Sequence, residues 1–230
     1  MKKSLNTSAL VTADYLLAGI SRFGAIAPDY DLARTILGKD FICPEDVMKS
    51  RKAIVYTDDQ LAQFGDTVPS QEVLEWCRDN GYMLVAGPNR PMSLLEVRDL
   101  KRDYFYSKEG GWYANAKQKF AQNDKVETRW IMLRKEPVPE STSKNWTEQQ
   151  ALLSDVEITP NAAEVVWCVT TYKAIRNVYL LPSVYVRTSS LDSDGDRVYV
   201  GGFDAKGLYV DFCWDDDRYG YISVSSARKQ

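Results

Sequence analysis

The hydrophobic period changes once along this chain, and that change constrains the fold more than any other feature. Up to Asn177, apolar residues recur at helical spacing between short buried runs. Beyond it they fall into short stretches separated by Gly, Asp and Ser turns. Helices before a strand-rich C-terminal third predict an α+β protein. Local punctuation places the elements. Pro44 starts a helix over residues 45–52, and residues 54–57 read as a short strand. Ser70 caps a helix that turns Val73, Leu74, Trp76 and Cys77 inward and stops at Asn80-Gly81; residues 82–86 follow as a buried strand. Ser93-Leu94-Leu95-Glu96 is a capping box whose helix reaches about Tyr104. Gly110-Gly111-Trp112 is a turn, residues 127–134 a strand, and Pro137 and Pro139 enforce a loop. Asn145 or Thr147 starts a helix through Leu153. Thr159-Pro160 supplies a cap and a first-turn proline for a longer helix over 162–175. Five short strands follow, at 179–181, 184–188, 197–200, 207–212 and 221–226.

Composition removes whole classes of chemistry. A chain of 230 residues buries enough surface to fold without disulfides or metals, as one large domain or one with a small partner. It contains no histidine, which excludes Ser-His-Asp and Cys-His catalysis and His-ligated zinc or haem. Cys43, Cys77, Cys168 and Cys213 are far apart, so no zinc site is expected; they read as free, mostly buried thiols of a reducing compartment. The formal net charge of −3 offers no basic face, so no nucleic-acid partner is expected. No segment reads as a membrane span. Lys2-Lys3 followed by the apolar stretch 8–17 imitates a signal peptide, but Asp14 interrupts its core. The expected location is cytoplasmic, or on a virion or cell surface through another component. No cofactor is called for.

The charge is unevenly placed. Residues 188–230 hold eight Asp, no Glu and five Lys or Arg, whereas the other residues carry 24 acids and 24 bases. All of the net charge therefore lies in this tail, with Tyr199, Phe203, Tyr209, Phe212, Trp214, Tyr219 and Tyr221. A plain set of twisted strands with Asp-Gly turns accounts for much of this composition. Through residues 209–221, however, apolar-polar alternation breaks down, and adjacent rings and acids are too many to bury together. Tyr among small polar residues is also the composition of a paratope.

The tail resembles a known family in Val186-Arg187-Thr188-Ser189, Gly195-Asp196-Arg197-Val198-Tyr199-Val200-Gly201-Gly202-Phe203, Gly207-Leu208-Tyr209-Val210, Trp214-Asp215-Asp216-Asp217-Arg218 and Ser225-Ser226-Ala227-Arg228-Lys229. It is similar to the C-terminal variable region of diversity-generating retroelement variable proteins. In these, an error-prone reverse transcriptase rewrites adenine-containing codons. Asn codons so rewritten yield Tyr, Asp, Gly, Ser, Phe or Cys but not Lys or Trp, so Trp214 and Lys206 fall outside the allowed set and the resemblance implies that Trp214 is scaffold. The resemblance implies a C-type-lectin-like fold, with two helices packed on short twisted antiparallel strands. It covers residues 66–230, with the variable region at about 188–229; residues 1–65 are left as an N-terminal extension or small subdomain. It also implies a non-enzymatic, ligand-binding protein. The expected contact residues are Tyr199, Asp204, Tyr209, Asp211, Phe212, Cys213, Asp216, Asp217, Tyr219, Gly220 and Tyr221. The partner is expected to be a protein or cell-surface molecule with basic or donor groups. The lectin disulfides and sugar-binding calcium motif are not readable here.

Competing sites stay open beside this reading. Asp192, Asp194 and Asp196 occupy the first three positions of a calcium loop, but Arg197 and Phe203 stand where Gly and Glu are needed, so a solvated turn is the better reading. Gly201-Gly202 and Gly207 open no helix and so form no phosphate loop. Asp215, Asp216 and Asp217 offer carboxylates for a hydrolase. A fixed-specificity carbohydrate-binding or adhesion module of the same fold, and a structural protein of a phage or cell surface, are further alternatives. Trp112, Trp130, Trp146 and Trp167 read as core, and Arg187, Arg197 and Arg218 as braces paired with nearby Asp.

Overall fold

The computed structural model describes residues 29–229; the stretch 8–17 that imitates a leader lies outside them. In chain order the elements are α1 (Asp31–Leu37), β1 (Phe41–Ile42), α2 (Pro44–Ser50), α3 (Asp58–Asp66), α4 (Gln71–Asp79), β2 (Tyr82–Ala86), β3 (Met92–Ser93), α5 (Leu94–Leu100), α6 (Phe120–Asn123), β4 (Lys125–Val126) and β5 (Trp130–Arg134). There follow α7 (Trp146–Gln150), β6 (Glu157–Ile158), α8 (Ala162–Arg176), β7 (Tyr185–Leu191), β8 (Arg197–Asp204), β9 (Gly207–Cys213), β10 (Ile222–Val224) and β11 (Ala227–Arg228). The α+β class is as expected, with every described α-helix before residue 177.

Two sheets organise the chain. One has the order β1-β2-β5-β11-β6 and the other β10-β7-β8-β9, with β3-β4 a small third pair. Pairing is antiparallel except at β1–β2 and β10–β7, which are parallel. Helix α8 is apolar almost all round and buried from Ala162 to Lys173, as a helix between layers must be. Its Trp167 indole donates to the Ala86 carbonyl of β2 at 3.0 Å, while its other side meets β7 and β8. Trp130 anchors the first sheet's core. Tyr30, Phe41 and Phe64 pack on it with ring centroids 5.8, 5.4 and 5.1 Å away. Residues 29–65 thus share the main core and add β1 to the larger sheet. All four cysteines are free and buried. Among the described residues, no helix is long and apolar enough to cross a membrane.

Several local expectations change in the structure. Residues 54–57 form no strand: Ile54 and Tyr56 are buried, but side chains hold the segment. The Tyr56 hydroxyl donates to Gly87 O, and Asn89 donates to Val55 O. Residues 179–181 are not a strand either, because Leu181 takes a positive φ of 57° that breaks an extended run. The cap of α8 is Asn161 rather than Thr159-Pro160. Its side chain accepts from Glu164 N at 3.0 Å, and the Glu164 carboxylate accepts from Asn161 N. Helix α5 ends at Leu100 and gives way to a 3₁₀ turn at Arg102–Tyr104.

The Ser93 capping box carries a pH signature. Burial pushes the Glu96 carboxyl up, but the Ser93 N–H, Arg90 and Lys125 outweigh it and hold the group at about 2, below its ordinary 4.5. A carboxyl whose folded pKa is depressed stabilises fully above its unfolded value and loses that contribution as pH falls through the folded one. Glu96→Gln should therefore lower the urea midpoint at neutral pH, and the gap to wild type should close between about pH 4.5 and about pH 2.

Candidate functional site

Strand register decides which tail residues can meet a partner. Directly opposed residues share a sheet face. Tyr185, Gly201 and Tyr209 form one row across β7, β8 and β9, and Arg187, Tyr199 and Asp211 form the next. The other face carries Val186, Val198, Val200 and Val210, all buried in the core. On the outer face, rings meet in series. Tyr209 stacks on Tyr106 at 4.2 Å, and Tyr185 packs edge-on against Tyr199 at 5.2 Å and Tyr221 at 6.0 Å. Tyr221 in turn stacks on Tyr219 at 5.3 Å. A cleft of about 270 Å³ opens between Tyr199, Trp214, Asp217, Tyr219 and Tyr221.

Two glycines allow the close approaches. A Cβ on Gly201 would lie 2.2 Å from Val184 O, against the main chain of the neighbouring strand. Gly207 has φ +115°, and its Cβ would lie 2.4 Å from Phe105 C. That contact brings Phe105 alongside Leu208 and sets Tyr106 over Tyr209.

The connector between β9 and β10, residues 214–221, crosses this face. Strands β9 and β10 occupy opposite edges of the sheet and run parallel, so the chain leaves at the level of Arg197 and re-enters at the level of Tyr185. A crossover between parallel strands usually contains a helix that satisfies its own main chain. This one has none, and Arg187 supplies donors instead. The side chain is fully buried: Nη2 donates to Trp214 O and Asp217 O at 2.9 Å each, Nη1 to Lys144 O and Gln149 Oε1, and Nε to Cys213 Sγ. Trp146 N bonds Asp215 O, and Ser143 N bonds Tyr219 O. The connector is therefore held by its carbonyls.

Its side chains are mostly free of that task. Asp211, Phe212, Asp216, Tyr219, Gly220 and Tyr221 are exposed; Tyr199, Asp204, Tyr209 and Asp217 are half-buried. Cys213, expected on the contact surface, is instead buried against Arg187. Phe212 lies opposite Val198, on the other face from Tyr209, with its ring edge-on to Trp112 at 4.9 Å. Asp217 accepts from Trp214 N and so shapes the loop. The arginines brace. Arg197 pairs with the nearby Asp215 through two bonds, as expected, whereas Arg218 pairs with Glu148 and Arg187 with no carboxylate among the described residues. The acidic run 192–196 is a hairpin turn in which Asp192 Oδ1 accepts from Asp194 N and Asp196 N. No group of three potential metal ligands is found among the described residues.

Electrostatics keep the face rich in neutral donors. Burial raises the Tyr185 and Tyr199 hydroxyls, with Asp211 adding to both, and Tyr209 is raised similarly beside Tyr106. Burial also raises Asp211, against the hydrogen bonds from Phe212 N and the Tyr199 hydroxyl. Sequence reading overlooked Tyr185 and Tyr106. Tyr185 was readable from its parity with Arg187 in one strand. Tyr106 gives no local signal, since it arrives through the long-range Phe105–Leu208 bridge. No protein-family model, curated protein or solved structure matches the chain.

Main-chain anchoring makes a sharp contrast in mutant stability. Arg187→Met should cost about 3 kcal/mol in urea unfolding, because it leaves several buried carbonyls unpaired. Gly220→Ala should change stability by less than about 0.5 kcal/mol, since its Cβ would meet only Ser143 Oγ at an ordinary 3.7 Å.

Proposed function

We propose that the protein is a non-enzymatic recognition module that binds a protein or cell-surface ligand through the outer face of its β7–β9 sheet and the 214–221 connector. In this reading the scaffold is C-type-lectin-like, and a retroelement diversifies the exposed residues. One observation carries the proposal: most of the connector's side chains project to solvent while its main chain is held by Arg187, Trp146 and Ser143. A surface built this way keeps its shape while its chemistry changes. Tyrosine supplies wide contact area at low conformational cost, and the neighbouring carboxylates favour donor-rich or basic partners. The arrangement of helices α4 and α8 with the antiparallel β7-β8-β9 meander is compatible with the lectin-like reading. The hydrolase alternative draws less support, because Asp215 and Asp217 are engaged in structural bonds.

The decisive test is the DNA around the gene. A nearby reverse transcriptase, with a repeat that differs from the 3′ end of the gene at adenines, is expected. Identical tails across independent isolates, with no such repeat, would instead indicate a fixed-specificity adhesion or sugar-binding module. At the protein level, Asp211→Ser, Asp216→Tyr and Tyr221→Ser should each shift the unfolding free energy by no more than about 0.5 kcal/mol in urea titrations.

A further inference from the structure

A second cleft, of about 430 Å³, shares no residue with the aromatic one. It lies where α2, α5 and α8 end, bordered by Arg51, Lys52, Leu100, Lys101, Tyr104 and Ala174. Two of its three cations have no ion pair among the described residues. Arg51 is only 6% exposed; its partners there are Thr171 Oγ1 at 3.1 Å, Thr170 Oγ1 at 2.8 Å and the face of Trp167 at 4.9 Å. Those two bonds use Nε and Nη2, so the Nη1 amino group has no acceptor among the described residues. Burial alone draws the Arg51 guanidinium down to about 10, with Tyr104 and Tyr56 opposing it and no carboxylate contributing. Lys52 is exposed and has no ion pair or hydrogen bond among the described residues. The ammonium of Lys101 sits 6.0 Å from the Tyr104 ring centre, its nearest carboxylate being that of Asp103 at 3.9 Å.

Cations at helix C-termini often serve the last carbonyls. That explanation fits Lys173, which donates to Asn177 O at the end of α8, but not these; Arg176 there serves Lys39 O and Phe41 O instead. Among the described residues, none of the side chains of Arg51, Lys52 and Lys101 donates to a carbonyl. Apart from the Lys101–Asp103 ion pair, the described residues leave their charge and donors unused. The volume exceeds that of a bare oxyanion and falls in the range of small-molecule sites. Tyr104, Leu100 and Ala174 add an apolar wall beside the cations.

We propose that this cleft binds a small organic phosphomonoester, with its phosphoryl group between Arg51, Lys52 and Lys101 and its organic part against Tyr104 and Leu100. The Arg51 Nη1 donor and two lysines lining the same cleft suit phosphate oxygens, and the partly enclosed wall admits a small molecule.

The test is calorimetric titration of the full chain with phenyl phosphate, inorganic phosphate and benzyl alcohol, in low and physiological salt. Phenyl phosphate should bind with a sub-millimolar Kd that weakens with salt, and at least about tenfold tighter than either fragment. Lys52→Ala/Lys101→Ala removes two exposed side chains without touching the core and should weaken binding at least about tenfold. Asp103→Asn, which removes the competing carboxylate, should tighten it, and Tyr221→Ala should leave it unchanged. No saturable heat up to about 10 mM phenyl phosphate, or equal affinity in the double lysine variant, would overturn the site. Equal affinity for inorganic phosphate would overturn the organic part of the assignment.

Discussion

The outer face of this protein depends on one buried guanidinium whose partners are carbonyls. Arg187 lies under the 214–221 connector and contacts no carboxylate among the described residues. A buried charge is tolerated only when its donors are satisfied, and a crossing loop is tolerated only when its acceptors are. Here each requirement meets the other. The same side chain reaches Lys144 O and Gln149, so α7 is tied to the connector through it. Lose the guanidinium and three chain segments lose their common partner together.

This arrangement separates shape from surface chemistry. Shape comes from the ladder of β7, β8 and β9, from Gly201 and Gly207 where main chains approach, and from Arg187. Chemistry comes from Tyr106, Tyr209, Tyr199, Tyr219, Tyr221 and the acids among them. Few residues serve both ends. Asp217 is one, since it lines the aromatic cleft and also shapes the loop through Trp214 N. The phosphate-class cleft beside Tyr104 stands apart in residues, although Tyr104 and Tyr106 belong to the same short stretch that Gly207 admits beside β9.

Local rules made much of the fold legible. The Ser93 capping box, the Asn80-Gly81 stop, the buried strand β2 and the change of period after Asn177 all come from neighbouring residues, and all are present. What escaped was decided at long range. The parallel pairing of β10 with β7 and the Phe105–Leu208 bridge join distant segments that carry no local mark. Residues 54–57 show strand-like alternation but pair with no strand, and Tyr56 and Asn89 hold the segment through side-chain bonds. For the candidate site, composition pointed to a segment whose side chains are mostly exposed and missed the orientation of single residues. Parity across β8 and β9 separates Phe212 from Tyr209, and burial removes Cys213 from the surface. Eight nearby aspartates suggested an acidic partner for Arg187, whereas the geometry of a loop without a helix required donors to its main chain.

The route of the connector also sets its contour length. It spans three strand spacings sideways and four residues of strand lengthwise, a diagonal of about 19 Å. From Cys213 to Ile222 a fully stretched chain reaches about 30 Å. The slack is thus about three residues, and part of it is spent in the turn at Asp217. Replacement of side chains leaves this tether intact, but removal of a few residues would draw β10 off the edge of β7. A process that rewrites residues one for one is compatible with such a span, and one that deletes several is not.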